Sequence, residues 1–214
     1  MTVSPDRRFD LVILDFDGVL ADSGPWMLRN LTGFLQARGL PAPGPDELDA
    51  MRGLSNREIV RRMRIPAWRL PGIARDMRAL MQAHAHEIGL FPGAADFLGR
   101  LQAAGVRTAI VSSNSETVVR QVLGGSAAQV GRYACGAALF GKAPVFRKVI
   151  RAEGVRPGRV LAVGDETRDI EAARRARVAC AAVAWGYATP EALARFAPDH
   201  LADDFAGLLA VIGA

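Results

Sequence analysis

The sequence predicts an α/β fold, a doubly wound parallel sheet interrupted early by a helical insertion. Three observations carry that expectation. From residue 91 to the end, short apolar runs rich in Val, Ile, Leu and Ala alternate with stretches of helical periodicity, the pattern of strands joined by crossover helices. The first run, Leu11-Val12-Ile13-Leu14, is too short for a helix and apolar throughout, as in a strand covered on both faces. Residues 21–90 carry helical spacing and no strong strand signal.

Composition narrows the class. A chain of 214 residues can bury one substantial core and still carry a small insertion. With half its residues hydrophobic and 23% charged, it is not a disordered chain. The formal net charge is +5, and all but two of the 27 basic residues are arginines. They are scattered rather than blocked, and aromatics are few, so the basic stripe of a nucleic-acid binder is missing. The positive balance still favours anionic small molecules by steering. Cys135 and Cys180 form no C-x-x-C pair, which suits a reducing compartment. Met1 to Asp10 is polar, without the apolar core of a secretion signal, and no run reaches the roughly eighteen apolar residues of a membrane span. The expectation is a cytoplasmic protein with no membrane partner.

In chain order, the first strand runs straight into Asp15, Asp17 and Gly18. Carboxylates are costly at the end of a buried strand unless paired or bound to a cation, and glycine lets the chain turn away. Trp26, Leu28, Leu31, Phe34 and Leu35 have helical spacing, with a stop near Gly39 and a break through Pro41–Pro45. A second helix is predicted from Ser55 or Asn56 to Pro66 and a third from Gly72 to His86, with Ile73, Met77, Leu80 and Met81 on one side. Phe91-Pro92-Gly93 returns the chain to the main unit. There follow a helix over 94–104, a strand at Thr108–Val111 ended by Ser112-Ser113-Asn114-Ser115, and a helix over 116–123. Tyr133–Leu139 offers a short strand, 144–153 a helix, 159–163 a strand ended by Gly164-Asp165, 169–176 a helix and 178–185 a strand. The tail, 190–212, reads as two short helices around Pro198-Asp199.

Chemistry gathers at strand ends, where open α/β sheets bind their ligands. Asp15 and Asp17 follow the first strand, Ser112 the second, Lys142 a short strand, and Asp165 and Asp169 the third. Each has an ordinary explanation alone: a cap for Ser112, a solvated side chain for Lys142, an N-cap and first-turn acid for the last pair. Their order along the chain is more specific than any one of them.

Asp15-Phe16-Asp17-Gly18-Val19-Leu20, followed by Ala21-Asp22-Ser23, closely resembles the first motif of the haloacid dehalogenase superfamily in its phosphatase branch. Ser112, Lys142 and the Asp165/Asp169 pair match the other motifs, so the resemblance spans the chain from about Asp10 to Leu209. It implies a Rossmann-like core formed by residues 1–20 and 91–214 with a helical cap at 21–90, closest to the phosphoglycolate phosphatase-like branch. It implies hydrolysis of a small phosphorylated metabolite with Mg²⁺. Asp15 would be the nucleophile and a metal ligand. Asp17 would be the general acid, then base, with its carbonyl toward the metal. Asp165 and Asp169 would complete the metal site, Ser112 and the Ser113 N–H would hold phosphate oxygens, and Lys142 would offset charge. Two departures stand out: Ala143 separates Lys142 from Pro144, which makes Lys148 a rival, and Arg177 stands where a glycine commonly ends the helix.

Other readings remain to be weighed. A sugar-phosphate mutase shares the implied core and cap. A phospho-accepting switch also clusters carboxylates at strand ends. Gly136 to Ala143 nearly matches the phosphate-binding loop G-x-x-x-x-G-K-[ST], but Ala143 lacks the hydroxyl that would meet Mg²⁺. For substrate choice the sequence offers a loop at the cap entrance: Arg52 as a fork for a second acidic group, Gly53 for close approach, and Ser55 or Asn56 opening a helix.

Overall fold

The computed structural model describes residues 7–136 and 141–214. Its six-stranded sheet is parallel throughout and is built around β1 (Leu11–Leu14). After β1 come β2 (Ala21–Asp22), then four helices, α1 (Gly24–Gln36), α2 (Pro45–Met51), α3 (Asn56–Arg62) and α4 (Leu70–Ala83), then β3 (Gly89–Leu90). The remainder alternates: α5 (Ala94–Ala103), β4 (Arg107–Val111), α6 (Glu116–Leu123), β5 (Arg132–Ala134), α7 (Lys142–Glu153), β6 (Val160–Gly164), α8 (Thr167–Ala176), β7 (Ala179–Val183), α9 (Pro190–Arg195), β8 (His200–Ala202) and α10 (Phe205–Ile212). The strand order is β5-β4-β1-β6-β7-β8. Leu11 faces Arg107 on one side and Val160 on the other, and Leu14 faces Ile110 and Val163. The winding reverses beside β1, so its carboxyl end is the switch point at which such sheets open a crevice.

Period-two alternation along β1 divides the core into two layers. Val12 and Leu14 point to a cluster with Phe97, Leu98, Val119 and Leu208. Leu11 and Ile13 point to the other face, against Phe146, Val149, Ile170 and Ala173. All four β1 side chains are fully buried, each contributing about 1.5–3 kcal/mol of transfer free energy. A third cluster lies within the helical stretch: Phe34, Leu35, Leu40, Met51 and Met63. Trp26, Met81 and Ala85 belong instead to the first cluster, so the base of that stretch shares the core of the sheet.

Several elements differ from the sequence expectation. The Pro41–Pro45 break is followed at once by α2, with Pro45 in its first turn, where proline loses no helix hydrogen bond. Ala21–Asp22 and Gly89–Leu90 pair antiparallel as a two-stranded ribbon, too short to show any periodicity. The tail holds β8 between its helices. Leu28 is 54% exposed, off the buried face that Trp26, Phe34 and Leu35 share. Lys142 is the first residue of α7 rather than a residue before it. The short strand expected over 133–139 is β5, and residues 137–140 of that span lie outside the described residues. Among the described residues no helix is long and apolar enough to cross a membrane.

Candidate active site

The site begins where β1 stops. Asp15 N–H still donates to the Val163 carbonyl at 2.9 Å, and then the chain curls back so that the Leu20 and Ala21 N–H groups, each at 2.9 Å, both donate to Phe16 O. The curl needs glycine at position 18 on two counts. Its φ is +73°, and an added Cβ would lie 2.0 Å from Asp165 Oδ2. Two more glycines wall the acids in: a Cβ at Gly164 would meet Asp169 Cβ at 2.2 Å, and one at Gly186 would meet Asp165 Cβ at 2.2 Å.

Within this cradle Lys142 and three carboxylates are buried together. Lys142 Nζ donates to Asp15 Oδ2 at 2.5 Å and to Asp169 Oδ1 at 2.6 Å. Asp15 Oδ1 accepts the Phe16 N–H at 2.8 Å. Asp169 Oδ2 accepts the Glu166 N–H at 3.1 Å, closing a capping box at the start of α8. Asp169 is thus the first-turn acid expected of it, while the N-cap of α8 is Glu166 rather than Asp165. Lys142 opens α7, where a cation opposes the helix dipole; the acids, not the helix, account for it. Lys148, its rival, is exposed.

Asp15, Asp165 and Asp169 place ligand oxygens all within 4.8 Å of one another. Asp165 Oδ2 accepts the Tyr187 N–H at 2.8 Å, while its Oδ1 is buried without a hydrogen-bond partner. A buried carboxylate oxygen in that state is destabilising unless a cation meets it, and three hard oxygen donors suit Mg²⁺. The residues present therefore fit a divalent ion. Burial holds the Asp165 carboxyl well above the usual range, with the charges of Glu166, Asp15 and Asp169 adding to the rise. Burial also raises Asp15, opposed by Lys142. For Lys142 itself burial disfavours the charge, but Asp15 and Asp169 outweigh it and its pKa is raised.

The Asp17 carboxylate lies outside that trio. Ser23 Oγ donates to its Oδ1 at 2.7 Å and Asn114 Nδ2 to its Oδ2 at 2.8 Å. Burial pushes Asp17 up to about 6, against the Ser23 hydrogen bond, with the charge of Asp15 adding to the rise. Ser112 is fully buried, and its Oγ accepts the Asn114 N–H at 3.0 Å; Ser113, beside it, is half-buried. Arg52 stands apart from the carboxylates. Its Nε donates to Tyr187 O at 3.0 Å and its Nη2 to Gly186 O at 3.3 Å. Gly53 follows it, and Ser55 caps α3 through the Glu58 N–H.

Sequence reasoning assigned no role to Asn114, Ser23, Tyr187, Glu166 or Arg168. Asn114 and Ser23 stand inside the motifs, but as polar residues after a strand and before a helix they pass for caps. Arg168 ion-pairs with Glu166 beside the acids. Nothing in the sequence marks Tyr187, which meets Ser23 across 164 positions.

Comparison with known proteins gives the family. Residues 12–183 match the model of the haloacid dehalogenase-like hydrolases. A phosphoglycolate phosphatase of Synechococcus elongatus is 30% identical over 203 residues, covering 94% of this chain and 96% of that protein. Phosphoglycolate phosphatase 1 of Pseudomonas aeruginosa is 30% identical over 214 residues, covering 93% of this chain and 78% of its own. The fold superposes on a haloacid dehalogenase-like family hydrolase from Streptococcus pneumoniae with a TM-score of 0.79 at 19% identity, covering 95% of this chain and 98% of the other. By fold, by the carboxylates at its strand ends and by this match, the chain belongs to the haloacid dehalogenase-like hydrolases, as a phosphoglycolate phosphatase-like member.

Proposed function

We propose that this phosphatase hydrolyses small phosphate monoesters carrying a second acidic group, with 2-phosphoglycolate foremost, through a phosphorylated Asp15. The observation that carries the reading is the buried Lys142 ammonium set between Asp15 and Asp169, beside a carboxylate trio with an unmatched oxygen. Two donors orient the Asp15 carboxylate, and a free lone pair attacks phosphorus. The bond from phosphorus to the leaving oxygen breaks as Asp17 gives that oxygen a proton. Asp17 then takes a proton from water, whose oxygen attacks the same phosphorus and frees Asp15. A divalent ion held by Asp15, Asp165 and Asp169, with the Asp17 carbonyl, would offset the charge of the phosphate dianion. Ser112 and the Ser113 N–H hold phosphate oxygens, and Lys142 balances the charge shared between nucleophile and phosphate.

Residues 21–90 serve as a cap over the core formed by 1–20 and 91–214, excluding water during the reaction. Arg52, Gly53, Ser55 and Asn56 form its selecting loop. Arg52 lies on the carbonyls of Gly186 and Tyr187, on the loop whose Tyr187 N–H meets Asp165. The test is phosphate release from a panel of phosphorylated metabolites. 2-Phosphoglycolate should lead, chelation should stop turnover and Mg²⁺ restore it, and Asp15→Asn should leave less than a few per cent. Full turnover in excess chelator, or an active Asp15→Asn, would overturn the reading.

A further inference from the structure

We propose that Tyr187 is a positioning residue that locks the acid Asp17 to the carboxylate Asp165, so that the proton donor and the metal-binding acid keep one relative placement; this rests on the role of Asp17 proposed above. Tyr187 meets Asp165 directly and reaches Asp17 through Ser23. Its backbone N–H donates to Asp165 Oδ2 at 2.8 Å. Its hydroxyl lies 2.6 Å from Ser23 Oγ, which lies 2.7 Å from Asp17 Oδ1. The direction follows from counting hydrogens. With Asp17 ionised, the carboxylate accepts the one hydrogen of Ser23, so in that state Tyr187 donates to Ser23.

The local structure is built around this chain of contacts. Ser23 is fully buried and stands at the N-cap of α1, yet its side chain caps nothing; a serine there ordinarily accepts from the helix N–H groups. Its hydroxyl is committed elsewhere. The loop that carries Tyr187 is pinned on both sides. Trp185 Nε1 donates to Val19 O at 3.1 Å, Ala188 N–H to Asp165 O at 3.3 Å, and Arg52 Nε to Tyr187 O at 3.0 Å. A Cβ on Gly24 would lie 3.3 Å from the Tyr187 ring, and one on Gly186 would collide with Asp165. Without this chain, the Asp17 carboxylate would keep, among the described residues, the Asn114 hydrogen bond to one oxygen.

An acid matters in proportion to the basicity of the group it protonates. The measurement is therefore kcat/KM on 2-phosphoglycolate, an alkyl ester, and on p-nitrophenyl phosphate, whose leaving group departs unprotonated. Asp17→Asn is the reference and should lose at least tenfold more on the alkyl ester than on the aryl ester. Tyr187→Phe should repeat that preference more weakly, falling about tenfold on 2-phosphoglycolate and less than threefold on p-nitrophenyl phosphate. Inhibition by inorganic phosphate should shift less than twofold. Ser23→Ala breaks the next link, and the Ser23→Ala/Tyr187→Phe double variant should be no worse than Ser23→Ala alone. Equal losses of Tyr187→Phe on the two esters, or additive losses in the double variant, would overturn the positioning role while leaving the proposed function intact. A uniform loss for Asp17→Asn would overturn the acid assignment, and this inference with it.

Discussion

Asp165 shows at the scale of one side chain what the protein tolerates for its chemistry. One oxygen is tied to the Tyr187 N–H, the other is buried without a partner, and glycines at 18 and 186 bring backbone against it where no Cβ would fit. Such a group destabilises the empty site and is relieved when a cation binds, so ligand binding to the folded state should raise its stability. Millimolar Mg²⁺ should lift the melting temperature by several degrees, about 1–3 kcal/mol by that linkage, and Asp165→Ala should abolish the shift. An identical Mg²⁺ response in the variant would remove Asp165 from the ion site. How far single residues could be read from the sequence follows from distance. Asp15 and Asp17 were legible because a buried strand running into acids is locally improbable. Asn114 and Tyr187 were not, because their meaning lies in contacts 97 and 164 positions away.

Among the elements, α7 opens on a buried cation against its own dipole. Lys142→Met would leave Asp15 and Asp169 facing each other without it. The expected result in chelator is a loss of about 3–5 kcal/mol in urea unfolding, the usual penalty for breaking a buried pair, and loss of at least a hundredfold in turnover. Unaltered stability would show that the acids are already neutral there. At the other end of the sheet, Asp10 ties the entry of β1 to β6: it accepts from Arg7 at 2.7 Å and from Arg159 at 3.1 Å. Arg159, then Arg7, outweigh its partial burial and hold its carboxyl below the ordinary value of 3.8. A depressed native pKa stabilises above the unfolded value and loses that contribution as pH falls through the native one. Asp10→Asn should therefore lower stability near pH 6 by at most about 1 kcal/mol, screened by solvent, with the gap to wild type closing as pH falls below the ordinary 3.8 and through the lowered native value. A gap that persists there would show that packing, not charge, is at work. Elements were legible in proportion to their length and burial. The helix over 116–123 could be read to the residue, because a Ser cap opens it and Gly124 closes it. The ribbon of β2 and β3 could not, since two residues hold no period, and neither could β8, which is three residues long and half open to solvent.

The described residues form one six-stranded parallel sheet with a core on each face, a two-stranded antiparallel ribbon, and a helical stretch rooted in the first core. Trp26 is that root: it is 1% exposed and packs with residues of the sheet layer. Trp26→Ala should cost about 3–5 kcal/mol, and tryptophan fluorescence and far-ultraviolet circular dichroism should still report one shared unfolding transition. Two separated transitions in the wild type would mean that the stretch stands on its own core of Phe34, Leu35 and Met51. That stretch leaves and rejoins the sheet through neighbouring strands, Ala21 opposite Leu90 and Asp22 opposite Gly89. Heredity can exploit this geometry. Replacing the whole segment between these paired positions leaves the strand order of the sheet unaltered. On the function proposed above, such an exchange would change the molecule selected while the acids and lysine stay. The newcomer must bring only an apolar foot in place of Trp26, Met81 and Ala85, and a hydroxyl where Ser23 now meets Asp17.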